Sequence, residues 1–109
     1  MSSRIRFMRL IVMFDLPMET PSQRRNYSQF RKFLIKNGYL MVQKSVYAKL
    51  AINDRIASGL IGKLRESKPK EGIVQVLKIT EKQYASMECI AGNPQHGFEL
   101  DDSSPLVIL

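Results

Sequence analysis

The pattern of apolar and polar residues predicts a mixed α and β chain, and its first strand is the most informative segment. Residues 10–14 are apolar at every position, and Asp15 and the pair Leu16–Pro17 follow directly. A short unbroken apolar run that ends at a turn is typical of a strand buried on both faces. Asp15 is therefore predicted at the carboxyl end of this strand, where the backbone leaves the sheet.

A helix is predicted next, with strong signals at both of its ends. Thr20 suits the N-cap, Pro21 the first helical position, and Gln23 lies three residues after the cap, where it completes a capping box. Gly38 is the expected stop, so the helix should run to about Asn37. The apolar residues fall on one arc of this helix and should pack on the sheet: Tyr27, Phe30, Phe33 and Leu34.

The opposite arc of the same helix is basic. Its cations are Arg24, Arg25, Arg31, Lys32 and Lys36, with Ile35 as the one apolar residue among them. No acidic residue occurs between Gln23 and Asn37, so the cations form no ion pairs within the helix and their mutual repulsion is unrelieved. This arc predicts a surface for an anionic partner, and the alternative is a solvated basic surface.

Two strands and a second helix follow. The strand-forming stretch 39–51 is too long for one typical strand, and we divide it at a bend or bulge near residues 43–45. Asn53 and Asp54 should start a helix that runs to about Glu66. Its predicted packing side comprises Ile56, Leu60, Ile61 and Leu64, and its two glycines, Gly59 and Gly62, suggest close packing against a neighbour.

The last predicted elements are a β-branched strand and a short turn. Residues 73–80 form the strand, Thr80 starts a helical turn, and residues 87–91 are predicted as a further strand. The order is βαββαβ with one or two strands appended, which is the α+β ferredoxin-like plan with an antiparallel sheet. We divide the chain into a basic extension 1–7, a ferredoxin-like domain 8–92 and a C-terminal loop and interface strand 93–109.

The predicted helices cover only one face of the sheet. Because the first strand is apolar on both faces, a homodimer that packs sheet against sheet would cover the other face. The terminal apolar residues 106–109 should add to a sheet edge of a partner subunit or another protein, since a free apolar strand invites aggregation.

The net charge of +7 lies almost wholly in the first half of the chain. Residues 1–50 hold ten basic and two acidic residues, whereas residues 51–109 hold seven basic and eight acidic residues. A one-sided basic balance favours nucleic acid as a partner. One cysteine and one histidine exclude an internal disulfide and a structural zinc site, and no apolar run approaches the roughly 20 residues of a membrane span. We expect a soluble, cytoplasmic protein.

Few residues suit catalysis. Cys89 is expected in the core of a strand, His96 in a loop, Asp54 at a helix start and Asp101–Asp102 in a solvated tail. Asp15 is the one candidate for a magnesium ligand, and magnesium in phosphoryl chemistry commonly uses one or two carboxylates. Two copies of Asp15 would converge only if a dimer axis passes close to the strand ends.

In their order and spacing, these motifs resemble the CRISPR-associated small adaptation protein, the second universal Cas protein, also called the CRISPR endoribonuclease family. The resemblance covers about residues 8–92. It rests on the following segments: Ile11–Pro17, Arg24–Arg25, Gly38, Gln43, Ser45–Tyr47 and Ile79–Gln83. Residues 31–38 and the Leu16–Pro17 turn are most similar to members from type II-A systems. Many members carry Arg two residues before the matching Gln, where this chain has Met41.

The resemblance implies a ferredoxin-like homodimer with paired Asp15 side chains near its axis. It also implies that two dimers of the integrase subunit, the first universal Cas protein, flank this dimer. The dimer would hold duplex protospacer DNA for joining to the CRISPR repeat, and other type II-A adaptation proteins are further expected partners. We expect Arg24, Arg25, Arg31, Lys32 and Lys36 to contact phosphates.

Two alternatives remain at this point. Some members of the family are assigned metal-dependent endoribonuclease or DNase activity through the aspartate that matches Asp15, which would make Asp15 a catalytic residue and Mg²⁺ a cofactor. An RNA-binding sheet module of the same fold would need aromatic residues exposed on the central strands.

Overall fold

A four-stranded antiparallel sheet with helices on one face forms the body of the protein. The computed structural model describes residues 6–93, and the predictions for residues 1–5 and 94–109, among them His96 and the terminal apolar segment, lie outside this range. The elements are β1 (Met8–Asp15), α1 (Pro21–Lys36), β2 (Leu40–Gln43), β3 (Val46–Ala51), α2 (Asp54–Glu66), β4 (Ile73–Thr80) and α3 (Glu81–Ala85). The strand order is β2-β3-β1-β4, which confirms the ferredoxin-like arrangement.

The start and end of α1 are fixed by the residues that the sequence indicates. Thr20 Oγ1 accepts a hydrogen bond from the Gln23 amide at 3.1 Å, and Gln23 Oε1 accepts one from the Thr20 amide at 3.0 Å. Gly38 follows the helix at a φ of 88°, a left-handed conformation that favours glycine. The predicted capping box and glycine stop are both confirmed.

The hydrophobic core lies between the sheet and the helices. Side chains at alternate positions of β1 point towards α1 and α2. Phe14 forms the centre of this core, with its ring 5.2 Å from the ring of Phe30 and 5.8 Å from that of Tyr47, measured between centroids. The predicted inner face of α1 is confirmed, because Phe30 and Leu34 are buried and Tyr27 and Phe33 pack against them.

The hairpin between β2 and β3 contains the irregularity that the sequence predicts. The pairing register shifts between Met41 and Gln43, and Ser45 adopts a φ of 65° in the tight turn before β3. The single long strand-forming stretch is therefore two strands.

The predicted packing of α2 is partly wrong. Leu64 is buried and Leu60 and Ile61 pack on the core, but Ile56 is 45% exposed and Ala57 takes the central position. The orientation of a helix on a sheet depends on which side chains fit the surface beneath it, and a small alanine lets the backbone approach closely. The glycines do not mark close packing either, since a Cβ at Gly59 or Gly62 would meet no atom within 4 Å.

The predicted strand at residues 87–91 is also wrong. After the short α3, which Thr80 caps as expected, residues 87–90 have no regular structure, and Cys89 is exposed rather than part of the core. Strand-forming residues become a strand only when a neighbouring strand accepts their hydrogen bonds, and residues 87–90 pair with no strand in the described part of the chain.

Candidate nucleic-acid interface and sheet surface

The face of the sheet opposite α1 and α2 is largely aliphatic, and α3 contacts one end of it through Arg9. Strand alternation and register place its residues opposite one another: Arg9, Ile11 and Met13 of β1, Val46, Ala48 and Leu50 of β3, and Ile73, Gln75, Leu77 and Ile79 of β4. We call this surface the open face. Ile11 in the central strand is only 8% exposed, whereas Leu77 and Ile73 are 51% and 59% exposed.

The open face offers no ring for base stacking. The aromatic residues of the central strands, Phe14 and Tyr47, are buried on the helix-covered side. None of the open-face positions of β1, β3 and β4 is aromatic. The RNA-binding sheet module, which stacks bases on exposed aromatic rings, therefore has no support here.

Asp15 lies at the end of β1, as predicted, and its side chain is exposed to solvent. It pairs with Ile73, the first residue of β4, and so belongs to the edge of the open face. Two loops hold the backbone at this point. The Phe14 amide donates a hydrogen bond of 3.1 Å to the carbonyl of Ser45, and Gly72 packs tightly against the carbonyl oxygen of Asp15.

In the part of the chain that the structure describes, Asp15 belongs to no cluster of three or more His, Cys, Asp or Glu side chains that could hold a metal ion. Asp15 contributes a single carboxylate, and a magnesium ion bound to protein commonly takes one or two of them with phosphate oxygens and water. Asp15 would fit such an ion only if a second copy of the chain, or a bound phosphate, completed the ligand set.

The basic arc of α1 is exposed along its whole length. All five predicted phosphate-contacting side chains are exposed: Arg24, Arg25, Arg31, Lys32 and Lys36. Within residues 6–93 the ion pairs are Arg9–Glu81 and Lys78–Asp54, so no cation of α1 is paired there. The predicted separation of aromatic and basic faces is thus present in the fold.

Arg24 differs from the other cations of α1. Its guanidinium donates hydrogen bonds to the carbonyl oxygens of Met18 at 3.1 Å and Glu19 at 3.0 Å. It therefore folds back over the loop between β1 and α1, where it stabilises the entrance to the helix. Several of its donors remain available to a ligand, since a guanidinium carries five.

Arg9 forms a contact that the sequence pattern does not indicate. It makes two hydrogen bonds to the carboxylate of Glu81, and its guanidinium carbon lies 4.6 Å from the ring centroid of Tyr84. These contacts fix α3 against the start of β1. The partners are 72 residues apart, so no local signal could have paired them.

Three lysines in two loops at the Asp15 end of the sheet were not among the predicted phosphate contacts. Lys44 lies in the β2–β3 turn, and Lys68 and Lys70 lie between α2 and β4; all three are exposed. Lys68 and Lys70 are not apparent from the charge of the second half of the chain, because its acidic residues outnumber its basic ones. A shorter window would have found them, since residues 63–70 hold four cations and one acid.

No helix in the described range is long and apolar enough to cross a membrane.

Comparison with known proteins assigns the family. A family model described as CRISPR associated protein Cas2 matches residues 8–87. A protein from Treponema denticola named CRISPR-associated endoribonuclease Cas2 is 50% identical over 102 residues, which cover 94% of this chain and all of the relative. Proteins with the same name from Streptococcus mutans UA159 and Lacticaseibacillus rhamnosus are 42% and 46% identical, over 88% and 78% of this chain and 88% and 84% of theirs. The chain thus belongs to the Cas2 family of CRISPR-associated proteins, as its motifs suggested.

Proposed function

We propose that this protein is the non-catalytic bridging subunit of a CRISPR spacer-acquisition complex. A homodimer binds duplex protospacer DNA by its phosphates and joins two integrase dimers for integration into the CRISPR array. The observation that carries this proposal is the exposed basic arc of α1, whose cations form no ion pair within residues 6–93, on a member of the Cas2 family.

The open face supports a dimer. It exposes several large aliphatic side chains at once, among them Leu50, Ile73 and Leu77. Contiguous apolar surface of this kind marks an interaction site in soluble proteins. Packing two open faces together would also bring the Asp15 end of each sheet to the interface.

The α1 arc supports binding to the backbone of a duplex rather than to bases. The aromatic residues of α1 face the core, so the exposed side carries cations without rings on which bases could stack. Phosphate contacts position a protein on DNA but do not read its sequence. We therefore expect little sequence preference.

Membership of the Cas2 family supports a place in the CRISPR adaptation machinery. The integrase subunit, the protospacer and the repeat duplex are the proposed partners of the dimer. The resemblance of residues 31–38 and the Leu16–Pro17 turn to type II-A members makes the other adaptation proteins of such a system further proposed partners.

Salt-dependent binding tests the proposal. If a dimer neutralises about 8 phosphates, the logarithm of the association constant should fall with the logarithm of salt concentration at a slope of about −7. Fluorescence anisotropy with a labelled duplex measures this slope, and a slope near zero would refute phosphate binding. Copurification with the integrase subunit and integration of a short duplex into a repeat-bearing plasmid test the bridging role.

A second candidate function is a magnesium-dependent endonuclease that uses Asp15 from both subunits. The name endoribonuclease Cas2 of the relatives and the exposed carboxylate at the dimer-facing edge favour it. The decisive comparison is rigorously purified wild type against Asp15→Asn, with and without Mg²⁺, on RNA and duplex DNA. Cleavage that survives the substitution does not belong to Asp15. Integration that survives it supports the non-catalytic role.

A further inference from the structure

Three loops meet around the carboxyl end of β1. The chain leaves β1 there to begin α1, and the β2–β3 turn returns there, as the hydrogen bond between the Phe14 amide and the Ser45 carbonyl demonstrates. The α2–β4 loop arrives at the same place, since Ile73 pairs with Asp15. Loops distant in the sequence thus form one end of the molecule.

The α2–β4 loop is held firmly at this end. Glu71 Oε1 accepts a hydrogen bond of 3.2 Å from Gln23 Nε2 in the first turn of α1. Gly72 has a φ of 94°, and a Cβ there would lie 2.7 Å from the Asp15 carbonyl oxygen. Pro69 is half-buried and lines a small gap beside Leu16. The backbone that carries the loop lysines is therefore pre-positioned, which lowers the entropic cost of binding.

Side chains of both charge signs are exposed at this end, and the acids among them are Asp15, Glu19, Glu66 and Glu71. Lys44, Lys68 and Lys70 are exposed and form no ion pair in the described part of the chain. Arg24 and Arg25 lie in the adjacent first two turns of α1. Glu71, next to Lys70, accepts a hydrogen bond from Gln23, which orients its carboxylate towards α1 without neutralising it. Cations from two loops and the first turns of α1, none of them in an ion pair in the described range, are available to the evenly spaced phosphates of a nucleic-acid backbone.

We propose that Lys44, Lys68 and Lys70 form a second set of phosphate contacts, which extends the basic surface of α1 across the Asp15 end of the sheet. This inference rests on the proposed binding of duplex DNA. It assigns part of that binding to the half of the chain whose net charge is negative. The duplex backbone would then pass beside Asp15 rather than along α1 alone.

Fluorescence anisotropy of a labelled duplex, measured over a range of salt concentrations with the full chain, tests the inference. The test variant is Lys44→Gln/Lys68→Gln/Lys70→Gln, and Arg25→Gln/Lys32→Gln/Lys36→Gln is the charge-matched variant of α1. The control is Arg55→Gln/Lys82→Gln, which removes exposed cations at the opposite end of the sheet. Exposed substitutions of this kind change stability little, and melting temperatures verify it.

The loop variant should bind about tenfold more weakly at about 100 mM salt, with a slope flatter by about 0.9 for each phosphate that is no longer neutralised. The control should bind like wild type. Unchanged binding of the loop variant beside weakened binding of the α1 variant would overturn this inference and leave the proposed function standing. If the control lost as much DNA affinity per removed cation as the loop variant, the inference would also be overturned, because the loss would then follow from net charge alone. A wild-type slope near zero would overturn both.

Discussion

The two faces of the sheet have different relations to the rest of the chain. On the helix-covered face, Leu10, Val12 and Phe14 are nearly inaccessible to solvent, because α1 and α2 pack over them. On the open face, Ile11 of the central strand is also buried, but Leu50, Ile73 and Leu77 of the neighbouring strands are 42%, 59% and 51% exposed. The side chains buried on the helix-covered face form the core that stabilises a single chain. The open face has the apolar composition of a protein core, but a single chain leaves part of it exposed. Substitutions on the helix-covered face should therefore change the free energy of unfolding, whereas substitutions on the open face should change dimer association.

The largest expected effect is a loss of stability on substitution of a side chain on the helix-covered face. Leu34 is completely buried, so Leu34→Ala should lower the free energy of unfolding by about 2–5 kcal/mol. Its neighbour Ile35 is 48% exposed on the basic arc, and Ile35→Ala should change that free energy by less than about 0.5 kcal/mol. Urea unfolding followed by circular dichroism measures both, and equal losses would contradict the assigned orientation of α1.

The second-largest expected effect is on the association of two chains into the proposed dimer. Leu77→Lys places a charge midway along the edge strand β4 of the open face, where a second chain would bury it at a cost of several kcal/mol. The dissociation constant of the proposed dimer should rise about 100-fold or more, while the circular dichroism spectrum is retained. Sedimentation equilibrium measures the association. Val76→Lys, one residue away on the helix-covered face, should instead unfold the chain; a folded Val76→Lys variant would argue against the difference between the faces.

A smaller effect is expected where α3 joins the open face. Arg9→Ala removes the hydrogen bonds to Glu81 and the contact with the Tyr84 ring, and should lower the free energy of unfolding by about 1 kcal/mol. Hydrogen exchange should accelerate in α3 more than in α1. Uniform acceleration across both helices would indicate that Arg9 supports the whole fold rather than α3.

The smallest effect concerns pH. Burial raises the pKa of Tyr39, in the core on the helix-covered side, to about 12. The folded state therefore holds this proton more tightly than the unfolded state, whose tyrosine titrates near 10. The stabilisation is complete below about pH 10 and is lost as the pH rises towards 12. Stability of wild type should fall more steeply over this interval than that of Tyr39→Phe, as measured by urea unfolding; parallel curves would contradict it.

Much of the fold was predictable because its signals are local. The capping box at Thr20, the glycine stop at Gly38 and the bend near Ser45 depend on residues a few positions apart, and all three occur as expected. Position 15 at the end of β1 was predictable for the same reason, since Pro17 cannot continue a central strand. The exposure of the basic arc followed from helical periodicity alone.

Other features depended on contacts between distant segments and could not be predicted. Ile56 and Ala57 both suit the inner face of a helix, and only the surface of the sheet selects Ala57. Residues 87–91 have the composition of a strand, but composition supplies no partner for pairing. The ion pair of Arg9 with Glu81 likewise needs the fold to bring its members together.

The sequence by itself determined the elements, their order and the two-sided apolar character of β1, because these follow from local backbone preferences and side-chain periodicity. The tertiary structure decided which loops share an end of the sheet. Charge along the chain assigned basicity to the first half, whereas the antiparallel topology brings the loop that carries Lys68 and Lys70 to the end of the sheet where Asp15 lies. Electrostatic potential depends on distance in space, and only the folded chain defines that distance.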